Sequence, residues 1–261
     1  MKAKEVFEFL LEGIISEFEN TCDGLISGDE NKLVEKIGTC FKLTAELIEK
    51  AVDAGVDMII THEPTFVRGD ISVEETCYGF DLLKKKMLDD SGITVYRYHD
   101  YAHHREDDYI HRGFIKALGL KIKHKYPRES LGVCRYELDE VLTTRELGVR
   151  VRENLGVECV RVVGKDDYPL KCICLGLGSV GMAQINKLFD PGCDLFVAGE
   201  VGEVCVDQYV RDACYFGENK SLMILGHYGS EYAGMRLLAE ELNEKLVPCV
   251  FLEGGEVYHH I

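Results

Sequence analysis

Short β-branched or aromatic runs alternate with amphipathic stretches along almost the whole chain, and that alternation points to α/β layers. In the segment 31–61, "NKLVEKIGTCFKLTAELIEKAVDAGVDMIIT", a helix rich in Leu, Glu, Ala and Lys ends near Gly55 and the short strand "VDMII" follows. "GFDLLKKKMLDDSG" reads as helix, "ITVYRYH" as strand and "YIHRGFIKALGL" as helix. Beyond a polar stretch near residue 125, "RELGVRVRENLG" is helical, "VECVRVVG" and "LKCICLG" are strands, and "MAQINKLFD" is a short helix. "DLFVAGE", "SLMILG" and "PCVFLEG" read as strands, separated by helices around "VDQYVRDACYFG" and "SEYAGMRLLAEELNEKL". The lysine-rich "KIKHKYPRES" is the best internal boundary, giving an N-terminal subdomain over 1–125 and a C-terminal one over 126–261.

The 261 residues suffice for one large or two smaller cores. A net charge of −16 argues against nucleic acid or an anionic membrane as the main partner. A phosphorylated small molecule stays open, because a bound cation inverts the field locally. The opening "MKAKEVFEFLLEGIISEFEN" carries acids throughout and reads as a helix rather than a signal peptide, and no apolar run approaches a membrane span. A cytoplasmic location is expected. The 11 cysteines include no Cys-x-x-Cys pair. Cys172 and Cys174 share one face of a strand, as small buried hydrophobes do.

Three strands run out into ligand-type side chains. "DMIITHEPTF" ends in His62 and Glu63, and Pro64 then bars helix continuation. "YRYHDYAHH" supplies His99, Asp100, His103 and His104. "LMILGHYGSE" places His227 after a strand and Glu231 four residues on, where both side chains fall on one side of a helical turn. In open α/β sheets, ligand sites gather at the carboxyl ends of strands. Imidazole with carboxylate suits zinc, manganese or iron, and magnesium less well. More donors than one tetrahedral ion needs suggests two divalent ions per chain sharing a bridging group. The run "HHREDDYIHR" reads as a solvated helix start, with Asp107 or Asp108 near its first turn. The terminal pair His259 and His260 reads as solvated.

In that order and at those separations, "THEPTF", "YHDYAH" and "GHYGSE" resemble the YbgI-like dinuclear metal-binding family, whose members carry the labels GTP cyclohydrolase type 2 homologue or NGG1-interacting-factor-like. "DGLISGD", "GLGSVG" and "DLFVAGE" extend the resemblance over nearly the whole chain. The family's usual first motif is His-His-Pro, and its second is a histidine followed four residues later by an aspartate. Here Glu63 stands where the second histidine is usual, and His103 where the aspartate is usual. The totals are unchanged: His62, His103 and His227 with Glu63 and Glu231. His99 matches the second motif's histidine, as ligand, outer donor or acid/base. The resemblance implies two intertwined layered α/β subdomains with a metal cleft between them, and a ring-shaped homo-oligomer, commonly a hexamer.

"CLGLGSVGM" also carries Gly176, Gly178 and Gly181 in the outline of a dinucleotide-binding turn, with Glu200 closing the next strand. The helix after it is short for a dinucleotide crossover. The resemblance instead puts a Gly/Ser-rich loop there, facing the metal cleft. An anion site and a plain tight turn both remain open. Two function classes follow. One is a metal-dependent hydrolase of a small nucleotide-like or phosphorylated substrate, with His99 or Glu200 moving protons. The other is a non-enzymatic metal-binding or metal-handling scaffold for partners.

Overall fold

The structure is a computed structural model and describes residues 1–14, 18–67, 79–127, 132–186 and 192–259. It is mixed α/β, with two sheets in two compact units. The first unit joins Met1–Tyr109 to Gly234–Gly255, and the second joins Ile110–Ala233 to Glu256–Ile261. The chain thus leaves the first unit, builds the second and comes back, which is the intertwining expected.

In the first unit, β1 (Gly24–Ser27), β2 (Ile37–Lys42), β3 (Met58–Glu63), β4 (Thr94–Arg97) and β11 (Cys249–Phe251) lie in the order β1-β4-β3-β2-β11. The last four run parallel, and β1 pairs antiparallel with β4. The helix Ala45–Asp53 starts where Thr44 Oγ1 accepts from Leu47 N at 3.2 Å. It buries Leu47, Ile48 and Ala51 in a core with Ile59, Phe66, Leu88 and Val95. Each such side chain contributes about 1.5–3 kcal/mol by leaving water.

The helix that ends before Gly55 is shorter than its sequence surroundings suggest, because β2 precedes it. A short apolar run such as "IGTCF" cannot be told from helix by periodicity. Its central place between β3 and β11 decides the matter. Gly38 marks that packing: a Cβ there would meet Leu252 Cδ1 at 2.8 Å.

The second unit's sheet has the order β5-β6-β8-β9-β10-β7, from β5 (Ile122–Lys125), β6 (Val133–Thr143), β7 (Arg161–Gly164), β8 (Pro169–Ser179), β9 (Leu195–Glu200) and β10 (Ser221–Ile224). Strands β8, β9 and β10 are parallel, and the other pairings are antiparallel. Phe196, Val210, Leu222 and Ile224 fill its core. β6 falls in a stretch that the sequence reading passes over. Its acids alternate with buried Tyr136 and Leu138, as on a half-solvated antiparallel strand.

The helix at "MAQINKLFD" covers Met182–Ile185, and residues 187–190 of that stretch lie outside the described residues, as does His260. Among the described residues no helix is long and apolar enough to cross a membrane.

Candidate metal centre

In the first unit the donors come from two adjacent parallel strands. His62 and Glu63 are the last residues of β3. β4 ends at Arg97, and Tyr98 N still bonds to Thr61 O at 2.9 Å, which carries His99 to the same edge. The next four residues, Asp100–His103, form one helical turn that lifts His103 back toward His99. Asp23 fixes that turn: its Oδ1 accepts from His99 N (2.6 Å) and Asp100 N (3.1 Å), and its Oδ2 from Tyr101 N (2.8 Å).

The rings of His62, His99 and His103 lie 4.6, 5.1 and 5.2 Å apart, centroid to centroid. One potential ligand atom from each lies within 4.8 Å of the others, a spacing that one ion can serve. His99 Nε2 is 3.6 Å from Glu63 Oε1. His62 and His103 are buried, and His99 is partly exposed.

In the second unit, β10 runs into Gly226, and the helix His227–Lys245 starts with His227. One turn on, Glu231 is buried, with Oε2 3.2 Å from His227 Nε2. A buried carboxylate is costly unless charge or hydrogen bonds compensate it. Glycines let the backbone close around this pair. Gly178, at the end of β8, has φ +76° and packs so tightly on Glu231 Oε1 that a Cβ would overlap it. Ser230 Oγ accepts from Gly178 N at 3.0 Å and donates to His227 O at 2.8 Å. A Cβ on Gly199 would meet Gly178 O at 2.5 Å.

The glycine pattern of residues 176–181 therefore has separate causes. Gly176 makes room for Phe196, whose Cζ would be 2.6 Å from a Cβ, Gly178 makes room for Glu231, and Gly181 opens a helix of a single turn. Of these three, Gly178 is the one packed against Glu231 and His227.

All four motif histidines share one feature. His62 Nδ1 is 3.0 Å from Tyr98 O, His99 Nδ1 3.0 Å from Asp100 Oδ1, His103 Nδ1 3.2 Å from Asp108 Oδ2, and His227 Nδ1 3.0 Å from Glu200 Oε1. A carbonyl or ionised carboxylate oxygen only accepts, so Nδ1 of His62, His99 and His103 carries a proton and donates it. On those three rings Nε2 is then the lone-pair nitrogen. His227 instead faces a carboxylate at both nitrogens, Glu200 at Nδ1 and Glu231 Oε2 at 3.2 Å from Nε2. This is how metal-binding imidazoles are oriented: an outer acceptor fixes tautomer and ring direction. The donor chemistry fits divalent ions.

The sequence reading placed Asp108 in a solvated run, and the structure corrects this: Asp108 is 1 % exposed and bonded to His103. His111 in the same run is also buried, with its ring nitrogens on Tyr136 OH and Gly132 O. Counting charge hid the apolar face of Ile110, Phe114 and Leu118 that carries this segment inward. Asp23 and Asp108 are the site residues that motif spacing missed. Glu200 is exposed and bonds to His227, the imidazole it orients.

Asp100 is held well below the usual carboxylate range. Burial alone would raise it, but hydrogen bonds from His99, Cys22 N and Thr21 Oγ1 outweigh burial. Cys22 also lies within ligand distance of His99 and Asp100. Burial, with Asp23 and Asp100 nearby, pushes its thiol up to about 12 against the pull of Arg97, so it is neither a ready ligand nor a nucleophile. Cys172 and Cys174 are buried on β8, and burial pushes Cys172 up to about 12.

A model of the family Duf34/NIF3 (NGG1p interacting factor 3) matches residues 1–254. The chain belongs to the Duf34/NIF3 family. A Clostridium acetobutylicum protein named GTP cyclohydrolase 1 type 2 homolog is 27% identical over 237 residues, 88% of this chain and 84% of that one. The solved structure of the protein ybgI, of unknown function, aligns with TM-score 0.78 at 24% identity, covering 99% of this chain and 100% of that one. A hypothetical protein of Staphylococcus aureus, SA1388, aligns with TM-score 0.77 at 20% identity over 100% and 99% of the two chains. These likenesses bear out the expected fold and family.

Proposed function

We propose that this Duf34/NIF3 protein is a metal-dependent hydrolase of a small nucleotide-like or phosphorylated molecule. The metal ligands in this reading are His62, Glu63, His103, His227 and Glu231. The observation that carries the reading is a shared arrangement: four histidines from three strand ends each hold Nδ1 against an outer acceptor oxygen. When filled, such a centre supplies Lewis-acid polarisation and a more acidic water.

The chain's own groups do the rest. Glu231 brings a buried negative charge beside His227, which Glu200 holds in place. Asp100 orients His99, whose Nε2 faces Glu63 at 3.6 Å. The name of the clostridial relative makes GTP ring opening one candidate reaction. The test is a turnover screen over GTP, phosphoesters and cyclic amides, with protein loaded with zinc, manganese or iron. Turnover that disappears in Glu231→Gln at equal protein supports the reading.

Absence of turnover at full metal occupancy favours the scaffold reading. Exposed Tyr209, Tyr215 and Phe216, on and just after the helix Val206–Tyr215, are the observation on its side. A ring-shaped homohexamer is part of the same proposal, and light scattering on the purified chain checks it.

A further inference from the structure

We propose that His62, His99 and His103 make a self-contained three-imidazole ion site within the first unit, which takes up the first metal ion without any donor from the second unit. This rests on the metal-binding reading above and goes further, because it makes His99 a ligand and sets the order of loading and the class of metal.

The three ligand atoms lie within 4.8 Å of one another and come from one unit. Each ring is fixed from behind by a group of that unit: the carbonyl of Tyr98, Asp100 and Asp108. Asp100 is itself anchored by Thr21 Oγ1 at 2.9 Å and Cys22 N at 3.1 Å, and Asp23 holds the backbone of the turn. His99 is therefore as firmly oriented as the two buried histidines, although it is partly exposed. Three neutral nitrogens with Glu63 at 3.6 Å from His99 Nε2 make a nitrogen-rich set. Such a set suits zinc, cobalt, iron or nickel and discriminates against magnesium, which prefers carboxylate and water oxygen. Three protein ligands with a further position open is also the form of catalytic zinc sites. His227 and Glu231 then serve the second ion, with one nitrogen and more carboxylate character.

The experiment strips the full-length chain with a chelator and titrates it with cobalt, followed by its d–d absorption, and with zinc against a chromophoric chelator. The wild type should take up two ions in two steps. His227→Ala and Glu231→Gln should lose the second step and keep the first at unchanged affinity. His99→Ala should weaken the first step by about 100-fold or more, beyond the effect of losing an outer partner. Excess magnesium should not displace the first cobalt, and displacement would overturn the donor class.

If the wild type binds no ion, the metal-binding reading itself falls. If the wild type binds two ions but His227→Ala loses both together, only the self-contained site falls. Should His99→Ala not fold, nitrogen-15 spectra of the zinc-loaded wild type decide. Nε2 of His99 at a metal-bound shift with Nδ1 protonated supports the site, and an unshifted Nε2 overturns it.

Discussion

The two units solve one problem by different means. Both bring ligand-type side chains to the carboxyl ends of parallel strands, β3 and β4 in the first unit, β9 and β10 in the second. In the first unit, aim comes from polar partners: Tyr98 O, Asp100 and Asp108 each hold an imidazole, and Asp23 pins the turn between them. In the second, much of the aim comes from the absence of side chains. Gly178 and Gly199 let backbone close against Glu231 and Ser230, and exposed Glu200 is the polar support of His227. A site held by hydrogen bonds should yield by degrees as partners are removed. A site held by close backbone approach should fail at once when a single methyl is added.

Gly178→Ala tests that contrast most severely. A non-glycine residue at φ +76° costs about 1–3 kcal/mol. The overlap with Glu231 adds about 1–3 kcal/mol more, because the buried carboxylate must shift to make room for the added methyl. Thermal unfolding should show the loss. Metal counting should show that ions depending on His227 and Glu231 go, while those of the first unit stay. An alanine variant of wild-type stability and occupancy would mean that close approach is not what holds the second unit's donors.

Asp108→Ala is the corresponding break in the first unit and should be milder. It removes the acceptor of a buried histidine proton, a cost of about 1–3 kcal/mol in stability. Metal affinity should fall about 10- to 100-fold, measured by competition with a chelator. Asp108→Asn, which can still accept through its amide oxygen, should recover part of both losses. Equal losses in the two variants would mean that charge, not the hydrogen bond, is what matters.

Why motif spacing found one part of this site and not the other follows from these residues. His62, Glu63, His99, His103, His227 and Glu231 are ligand-type residues at strand ends, and a strand end is legible from an apolar run that stops. Asp108 and Asp23 act through a ring or a turn distant in sequence, 5 residues from His103 in one case and 76 from His99 in the other. No local pattern carries such a contact. The same limit explains the strands. β3 and β10 are apolar and legible, whereas β2 merges with the helix behind it and β6 hides its buried residues between acids. The glycines of residues 176–181 were legible as a pattern, but the partner that explains Gly178 lies 53 positions along the chain, at Glu231.

Asp100→Ala brings pH into the comparison. The Asp100 carboxyl is held below its ordinary range in the folded chain, so its ionised form is favoured by folding. A group depressed in this way contributes stability that is fully present above the unfolded value of about 3.9. That contribution is lost as the pH falls from there through the lower folded value. In metal-stripped protein, the wild type should therefore exceed Asp100→Ala in stability at neutral pH, by about 1–3 kcal/mol. The gap should narrow as the solution is acidified below about pH 4. Denaturant unfolding at a series of pH values reads this directly, and a gap that does not change with pH would contradict the ionised anchor.

Glu200→Gln should have the smallest effect, and the reason lies in exposure. The Glu200 side chain is 55 % exposed, so its bond to His227 competes with water, and a surface pair of this kind is worth about 0–1 kcal/mol. Glutamine keeps an oxygen that accepts from His227 Nδ1 and removes only the charge. Stability should stay within about 0.5 kcal/mol of the wild type. Metal affinity should fall by about 10-fold at most, the lower end of what outer partners contribute. The loss should be confined to the ion served by His227 and Glu231 and should shrink further at high salt, where exposed charge is screened. A much larger loss would assign the second unit's aim to Glu200 rather than to the glycines, and the contrast between the two units would then collapse into one mechanism of polar support.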